Sequence, residues 1–311
     1  MLSACNFYMP IFEEALDAYG LPLELRYLPI IESALNPSAV SRAGASGLWQ
    51  FMIGTGKIYG LESNSLVDER RDPIKATWAA ARYLKEMYDI YGDWNLVIAA
   101  YNCGPGTINK AIRRANGETD YWKIYNYLPK ETRGYVPAFI AANYVMTYYC
   151  DHNICPMETN IPASTDTVQV NKNLHFEQIA DLCNVPLDQI KSLNPQYKKH
   201  MIPGDSKPYT LRLPIDAIST FIDKQDTIYA HRADELFRNR KTVAVKEITP
   251  STRKTTAAVA GKGKLTYYTI KSGDTLSTIA GKYGVTIKDI QRWNGMSNTK
   301  IAAGKRLKIY K

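Results

Sequence analysis

Apolar side chains recur at helical spacing through the first half of the chain. Asp72 and Pro73 form a cap and a first-turn proline, and the apolar period that follows continues to Gly92. Asp93 is placed to cap a second helix, in which the unbroken apolar run at 96–100 indicates burial. The pattern therefore predicts two consecutive capped helices, the second of them buried.

The helical period returns further along this half of the chain. Glycine and proline at 104–106 interrupt it, a short helix follows to about residue 115, and residues 137–149 are again helical and mostly apolar. Strand-like alternation is not convincing anywhere here. We therefore expect an all-α domain over residues 1–155.

After Pro156 the pattern changes to short strands and paired helices. Val168 and Val170 alternate with polar residues like a strand, and a helical pair follows. Residues recur at an offset of 100: Ile179 and Ile279, Ala180 and Ala280, Val185 and Val285, Ile190 and Ile290, Asn194 and Asn294, Gly204 and Gly304. So many matches at one offset indicate duplication of a unit of about 45 residues with the order strand–helix–helix–strand.

These patterns predict a multidomain chain, an all-α domain followed by two small α+β (βααβ) modules. We expect a degenerate module at 165–215, a connector at 216–264 and a second module at 265–311. Within the connector, residues 246–264 have few apolar anchors and predict a flexible linker. The length of 311 residues agrees with two or three folding units. No apolar run reaches the roughly 18 residues that a bilayer-spanning helix needs.

The net charge of +9 is unevenly distributed. Residues 1–155 carry 14 Lys and Arg against 16 Asp and Glu, a net charge of −2, which leaves +11 for residues 156–311. A basic second half favours attraction to a polyanionic surface. Nucleic acid, an anionic cell envelope and a merely solvated basic tail would each account for this charge, and charge alone does not choose among them.

The five cysteines follow no spacing typical of a metal site, and we expect no metal or cofactor. Cys150 and Cys155 are near enough in sequence to bridge in an oxidising compartment, but free thiols agree at least as well. The segment from Leu2 to Cys5 resembles a lipoprotein processing site without the charged and apolar segments that such a site needs upstream. We interpret it as coincidence, and expect an export signal and leading segment to be missing from this sequence.

Glu32 is the leading candidate for chemistry. It lies in an apolar segment at 28–35 with no basic residue within four positions on either side, and Asn36 and Pro37 are then predicted to end the helix. A carboxyl at the end of an apolar helix is desolvated, which raises its pKa and favours a proton-donating form. From this segment alone, a solvent-facing carboxylate or one paired with a distant arginine is the better interpretation.

Two further segments offer polar groups to a ligand. Residues 41–47, SRAGASG, are small enough for a ligand to approach the backbone, and Gln50 in the following LWQFM has both a donor and an acceptor for a sugar amide. Trp49 agrees with a sugar-stacking position or, at least equally, a core position. Tyr101 and Asn102 come at the end of the buried helix, where they either face a cleft or cap the helix.

Tyr135 follows in ETRGYV, just before the last predicted helix. Taken in order, the segments ES, GASGLWQFM, AYNCGPG and ETRGYV, within about residues 8–150, resemble the soluble lytic transglycosylase family, whose fold is lysozyme-like. The resemblance implies that Glu32 is the catalytic acid–base residue. It implies a glycan cleft lined by Ser41, Gln50, Met52, Tyr101, Asn102 and Tyr135. Cys103 stands where the family usually has alanine, which adds a thiol near the cleft.

The second repeat resembles a LysM module, a βααβ unit that binds glycans containing N-acetylglucosamine. The resemblance is carried by YTIKSGDTL at 268–276 and by YGV and WN further along. The sugar contacts that it implies are Gly273, Asp274, Thr275 and Leu276 in one loop, and Thr299 and Ile301 in another. The first repeat has NLHF at 173–176 in place of GDTL, so we expect a LysM-like fold there whose sugar binding is in question.

The motifs supply one carboxylate, whereas ordinary glycosidases use a pair. Asp68, Glu69 and Asp72 alternate with arginines, and we interpret them as a solvated or structural ion-pair segment. The resemblance implies that Glu32 acts first as acid and then as base, and cleaves the bond between N-acetylmuramic acid and N-acetylglucosamine without water, giving a 1,6-anhydro product. The alternatives are a lysozyme-type muramidase on the same fold and a non-catalytic wall-binding scaffold.

The resulting hypothesis is a monomeric lyase that acts on peptidoglycan glycan strands in the bacterial cell envelope (periplasm). Nucleic acid is not an expected partner, and membrane attachment would require a leading segment outside this sequence. Tethering the lyase to its insoluble substrate raises its effective concentration there, which accounts for the basic second half.

Overall fold

The computed structural model describes residues 1–157, 161–162, 164–238, 265–271, 274–294, 296, 301 and 304–310. They belong to two compact units, Met1–Pro250 and Ser251–Lys311. The helices of residues 1–157 are α1 (Leu2–Ala18), α2 (Leu28–Ser33), α3 (Ile53–Ile58), α4 (Pro73–Tyr91), α5 (Trp94–Cys103), α6 (Pro105–Arg114), α7 (Tyr121–Ile124) and α8 (Lys130–Tyr148). Short 3-10 helices cover Leu23–Tyr27, Glu69–Arg71 and Tyr125–Tyr127.

The helix α5 lies at the centre of this first part, with α4, α6 and α8 packed against it and α1 packed against α4. All five residues of its apolar run at 96–100 are buried, as predicted. Both predicted caps are confirmed: Asp72 accepts hydrogen bonds from the first-turn amides of α4, and Asp93 accepts one from the amide of Leu96. The largest fully buried side chains of this core are Phe12, Leu16, Leu25, Leu28, Leu48, Trp49, Leu84, Met87, Leu96 and Tyr121. The all-α prediction is therefore confirmed.

The last helix of this part begins earlier than predicted. We expected it to start at Pro137, but α8 starts at Lys130 and Pro137 lies inside it. A proline within a helix leaves the carbonyl four residues earlier without its amide donor. That carbonyl belongs to Arg133, and it accepts a hydrogen bond of 2.9 Å from the hydroxyl of Tyr121 instead. Tyr135 consequently lies within the helix and not ahead of it.

Two pairs of strands and four helices form the first module, which we define as residues 164–230. Its strands are β1 (Thr165–Val170), β2 (Asn173–His175), β3 (Met201–Pro203) and β4 (Tyr209–Pro214), and its central helices are α9 (Phe176–Cys183) and α10 (Leu187–Leu193). The strand β1 pairs antiparallel with β4, and β2 pairs antiparallel with β3. The predicted strand–helix–helix–strand order is confirmed, and the pair β2–β3 is an addition to it.

The described part of the predicted connector is helical. It contains α11 (Ile215–Asp223), α12 (Gln225–Ala230) and α13 (Ala233–Leu236). Helix α11 packs against β1, β4 and α9, and α12 packs against α9, so both belong to the core of the first module. Residues 239–264, which include the predicted flexible linker, lie outside the described residues.

The second module, residues 265–310, has the four elements that the repeat predicts. They are β5 (Leu265–Thr269), α14 (Leu276–Tyr283), α15 (Ile287–Asn294) and β6 (Arg306–Tyr310). The strands pair antiparallel from Leu265 opposite Tyr310 to Thr269 opposite Arg306. A small core of its own includes Ile279, Ile290 and Ile309.

Three further properties of the described residues concern a membrane span, a metal site and disulfides. None of their helices combines the length and the apolar character needed to cross a membrane. No group of three or more His, Cys, Asp or Glu side chains among them is arranged to hold a metal ion. All five cysteines carry free thiols, so Cys150 and Cys155 are not bridged.

Candidate active site

Glu32 lies near the end of α2, a six-residue helix. The helix ends at Ser33, earlier than Asn36 and Pro37 would require, because Ala34 and Leu35 take left-handed backbone angles with φ of 51° and 60°. The Ser33 hydroxyl donates hydrogen bonds to the carbonyls of Pro29 (3.0 Å) and Leu48 (2.9 Å). The residue after Glu32 thus ties its helix to the GLWQF segment.

The Glu32 side chain is half-buried and accepts a hydrogen bond at Oε1 from the hydroxyl of Tyr135. Burial raises the pKa of Glu32 to about 7, the Tyr135 hydrogen bond opposes the rise, and the charge of Glu131 adds to it. Near neutral pH this carboxyl is therefore divided between its protonated and ionised forms. A group in that state can both give and take a proton.

Tyr101 lies close enough to Glu32 for the carboxylate charge to contribute, after burial, to a pKa well above the ordinary value for tyrosine. Its hydroxyl donates a hydrogen bond of 2.7 Å to the carbonyl of Trp49. Tyr101 stays neutral and connects α5 to the same segment that Ser33 holds. The structure thus brings Glu32, Tyr101 and Tyr135 together from three distant parts of the sequence.

Asn102 is oriented by Thr132, a buried residue of the ETRGY motif. The Thr132 hydroxyl donates a 2.9 Å hydrogen bond to Oδ1 of Asn102. Because this bond engages the carbonyl side of the amide, the NH₂ group is the end of Asn102 that remains for a ligand. Sequence reasoning did not single out Thr132, although its position between Glu131 and Tyr135 was a usable signal.

Gln50 takes part in the loop that carries it, with a left-handed backbone at φ 48°. Its Nε2 group donates to the carbonyls of Gly47 (2.8 Å) and Ala39 (3.3 Å). The donors that we expected for a sugar amide are therefore used within the loop, and the carbonyl oxygen is what Gln50 can offer a ligand. Ser41 is exposed, and its Oγ accepts a 3.0 Å hydrogen bond from the amide of Ala45.

Trp49 and Met52 have opposite environments. Trp49 is fully buried, packs edge-on against Phe12 with ring centroids 5.3 Å apart, and donates a 2.9 Å hydrogen bond to Thr77. Sugar stacking by Trp49 is thereby excluded. Met52 is 45% exposed just ahead of α3 and is accessible to a ligand. Neither Ser41 nor Met52 is hydrogen-bonded to Glu32 within the described residues.

The acidic and basic run at 68–72 is structural and not solvated. Asp68 and Arg70 are buried and form a two-point ion pair with distances of 2.9 and 2.8 Å. The guanidinium of Arg70 also donates to the carbonyls of Gly44 (2.8 Å) and Phe51 (2.9 Å). A side chain at Gly47 would place its Cβ 1.7 Å from the Arg70 carbonyl oxygen, so the loop can approach Arg70 this closely only with glycine there.

In the second module, Asp274 accepts hydrogen bonds from the hydroxyl of Tyr268 and the amide of Lys271, both at 2.8 Å. Thr275 caps α14. Leu276 is buried in the module core, so its side chain is not available to a sugar. Ile301 packs against that core from outside. Gly273 and Thr299 lie outside the described residues.

Comparison with protein families gives three matches along the chain. Residues 9–124 match the transglycosylase SLT domain, residues 164–230 the LysM-like domain of the lytic transglycosylase MltD, and residues 268–309 the LysM domain. Glu32 and the other candidate residues of the first part lie in the first match, except Tyr135, which follows it.

Individual relatives agree with these matches. The chain is 33% identical over 294 residues to membrane-bound lytic murein transglycosylase D of Escherichia coli K12, covering 93% of this chain and 60% of the relative. It is 33% identical over 124 residues to the soluble lytic murein transglycosylase of the same strain, covering 38% and 19% of the two chains.

Among solved structures, the 70 kDa soluble lytic transglycosylase of Escherichia coli is 29% identical, with a TM-score of 0.40 and coverage of 46% of this chain and 24% of that one. The family resemblance carried by the motifs is confirmed by the domain matches and by the relative that spans nearly the whole sequence. The chain thus combines matches to an SLT domain, an MltD-type LysM-like domain and a LysM domain, and it spans 60% of the length of the lytic murein transglycosylase D to which it is similar.

Proposed function

We propose that the chain is a peptidoglycan lyase that cleaves the bond between N-acetylmuramic acid and N-acetylglucosamine without water. The observation that carries the proposal is the state of Glu32, half-buried, held by Tyr135 and with a pKa raised to about 7. The same carboxyl can then serve as acid and as base in one turnover near neutral pH.

In the proposed reaction the Glu32 proton passes to the glycosidic oxygen as the bond from C1 of N-acetylmuramic acid to that oxygen breaks. The 2-acetamido oxygen of the same sugar stabilises the positive charge at C1. The Glu32 carboxylate then removes the proton from the 6-hydroxyl, and O6 bonds to C1. The product is a 1,6-anhydro sugar, and Glu32 is again protonated.

The amide groups of the cleft suit this chemistry. Asn102 presents an NH₂ donor, oriented by Thr132, and Gln50 presents a carbonyl acceptor, fixed by its bonds to loop carbonyls. A donor and an acceptor of this kind match the carbonyl and N–H of an acetamido group. We propose Ser41, Met52 and Tyr101 as further parts of the cleft wall.

Mass spectrometry of peptidoglycan digests tests the proposal. The expected muropeptides end in an anhydro sugar and are lighter by one water than hydrolysis products, and Glu32→Gln releases almost none. Recovery of reducing muropeptides alone contradicts the lyase reaction.

A lysozyme-type muramidase is the second candidate, and Glu131 is the observation that favours it. The charge of Glu131 contributes to the raised pKa of Glu32, so Glu131 is a candidate for the second carboxylate of a hydrolase. Glu131 is exposed, however, which suits a distant influence better than a catalytic role. Glu131→Gln should leave the rate of anhydro product release within about twofold, whereas a muramidase that depends on Glu131 would lose its activity.

We further propose that the LysM domain holds the enzyme on the wall, so that its partner is peptidoglycan and its place is the cell envelope, in the periplasm. On this proposal the chain acts as a monomer without nucleic acid. Its organisation is a catalytic domain at 1–155, a LysM-like module at 165–215 that is extended by α11 and α12, a connector to 264 and a LysM module at 265–311. If the chain were a wall-binding scaffold without catalysis, neither the wild type nor Glu32→Gln would lyse walls.

A further inference from the structure

We propose that the first module does not bind glycan but holds the catalytic cleft in shape through Lys198 and the ion pair of Asp68 and Arg70. The inference rests on the proposed function for its kinetic readout. Lys198, Asp68 and Arg70 are positioning residues, because they act on the cleft through other residues and do not contact the substrate.

The first module is joined to the SLT domain through the segment at 62–68, which we call the bridging loop. Its Leu66 and Val67 are buried in the hydrophobic core of the first module. Backbone bonds run from the Asp68 amide to the Gln196 carbonyl (2.9 Å) and from the Lys198 amide to the Leu66 carbonyl (2.8 Å). The loop therefore completes the module's core and its backbone hydrogen bonding.

Side chains reinforce this junction on both sides. The Lys198 ammonium donates a 2.8 Å hydrogen bond to the Asn64 carbonyl and lies 3.6 Å from the Asp68 carboxylate. Tyr209 donates to Glu62 at 3.0 Å, and Lys207 pairs with Glu62 at 2.7 Å. Bonds that fix both a backbone and a buried charge restrict the bridging loop to one position.

The bridging loop passes this restraint to the cleft through Asp68. Burial opposes ionisation of Asp68, but the hydrogen bonds and charge of Arg70, with the charge of Lys198, hold its pKa below the ordinary value. The guanidinium of Arg70 donates hydrogen bonds to the Asp68 carboxylate and to the backbone carbonyls of Gly44 and Phe51. Gly44 and Phe51 bracket the segment that forms the cleft wall.

The segment between Gly44 and Phe51 is hydrogen-bonded to the residues around Glu32. Its Leu48 carbonyl accepts from Ser33, the neighbour of Glu32, and its Trp49 carbonyl accepts from Tyr101. A shift of this segment would move both the proposed acid and its surroundings. Displacements of about 1 Å in an active site can cost a hundredfold in rate.

The loops of the first module that correspond to the expected sugar loops of the second are closed on each other. Strand β2 at 173–175 pairs with β3, and Asn173 donates twice to Asp205, at 3.1 and 2.5 Å. A Cβ at Gly204 would lie 2.2 Å from the Lys172 carbonyl oxygen, whereas one at its repeat partner Gly304 meets no described atom within 4 Å. A glycan cannot enter between backbones in such contact.

The test compares Lys198→Met with Lys199→Met, a neighbouring exposed lysine, and with Lys198→Arg, all in the full chain. On a short soluble glycan we expect Lys198→Met to lower kcat about tenfold with KM within twofold, Lys198→Arg to recover most of the loss, and Lys199→Met to have no effect. Hydrogen exchange of residues 44–51 should accelerate in Lys198→Met, while α5 keeps its protection.

The exchange measurement needs no turnover, so it decides the inference even if the lyase proposal fails. Unchanged exchange at 44–51, or faster exchange throughout the SLT domain, overturns the positioning role. For the ligand arm, an N-acetylglucosamine oligomer is added to Glu32→Gln. Slower exchange is expected in 265–310 and not at 171–175 or 201–205. Protection in the latter two segments overturns the claim that the first module does not bind glycan.

Discussion

The Tyr135 hydroxyl donates a hydrogen bond to Glu32, a residue 103 positions earlier in the chain. The bond favours the ionised carboxyl, while burial favours the protonated one, and burial has the larger effect. The two main influences on the pKa of Glu32 thus oppose each other, and mutation can separate them.

Replacing Tyr135 by Phe removes the donor and leaves the ring. Because the bond lowers the pKa of Glu32, its loss should raise that pKa further above 7 and move the alkaline limb of kcat/KM to higher pH. We expect kcat to fall about tenfold as the carboxyl loses its orientation. A pH–rate profile measures both effects, with Tyr144→Phe on an exposed face of the same helix as control. An alkaline limb that moves to lower pH would contradict this account.

The folded-state pKa of Glu32, about 7 against an ordinary 4.5, also predicts how stability depends on pH. Between these values the folded protein keeps a proton that the unfolded chain has lost, so ionisation of Glu32 destabilises the fold as pH rises through this window. Glu32→Gln should match the wild type in unfolding free energy at pH 4 and exceed it by up to about 3 kcal/mol at pH 8. Urea unfolding at both pH values tests this, and a variant less stable than wild type at pH 8 would argue that the ionised carboxyl is well compensated.

Thr132 is predicted to act through Asn102. Thr132→Val keeps the volume but leaves the Asn102 oxygen without its donor, at a cost of about 1–3 kcal/mol in stability. With the amide free to turn, we expect kcat/KM to fall about tenfold, and Thr132→Ser to restore most of it. Equal kinetics for Val and Ser at this position would show that the orientation of Asn102 does not matter.

Ending the chain at residue 245 removes the second module and keeps the helices that pack on the first. If the second module tethers the enzyme to the wall, the rate on intact peptidoglycan should fall about tenfold or more while the rate on short soluble glycans is unchanged. Turbidity loss of wall suspensions and product release from soluble glycan provide the two rates. Equal losses on both substrates would contradict a targeting role.

Local signals in the sequence predicted the features that depend on neighbouring residues. The caps at Asp72 and Asp93 and the buried run in α5 follow from side chains within a few positions of each other. The apolar neighbours of Glu32 suggested its desolvation, but that segment alone favoured a solvent-facing or arginine-paired carboxylate, and the burial of Glu32 was not predicted from it. The hydrogen bond from Tyr135 to Glu32 could not be predicted from the sequence, since Tyr135 lies on another helix, 103 residues further along the chain.

The features that the sequence did not predict depend on distant partners. The start of α8 was missed because Tyr121 satisfies the carbonyl that Pro137 leaves free. The burial of Trp49 depends on Phe12 and Thr77, and the role of Arg70 depends on carbonyls about 20 or more residues away. Contacts of this kind are set by packing and leave no periodic trace in the chain.

The central claim, cleavage without water by a single carboxyl, is tested most directly by digesting peptidoglycan in water enriched in oxygen-18. The account predicts muropeptides that carry no label at C1 of N-acetylmuramic acid and that have the mass of the 1,6-anhydro form. Incorporation of one labelled oxygen per cleaved bond, with a reducing end at that sugar, would contradict it and identify the chain as a hydrolase.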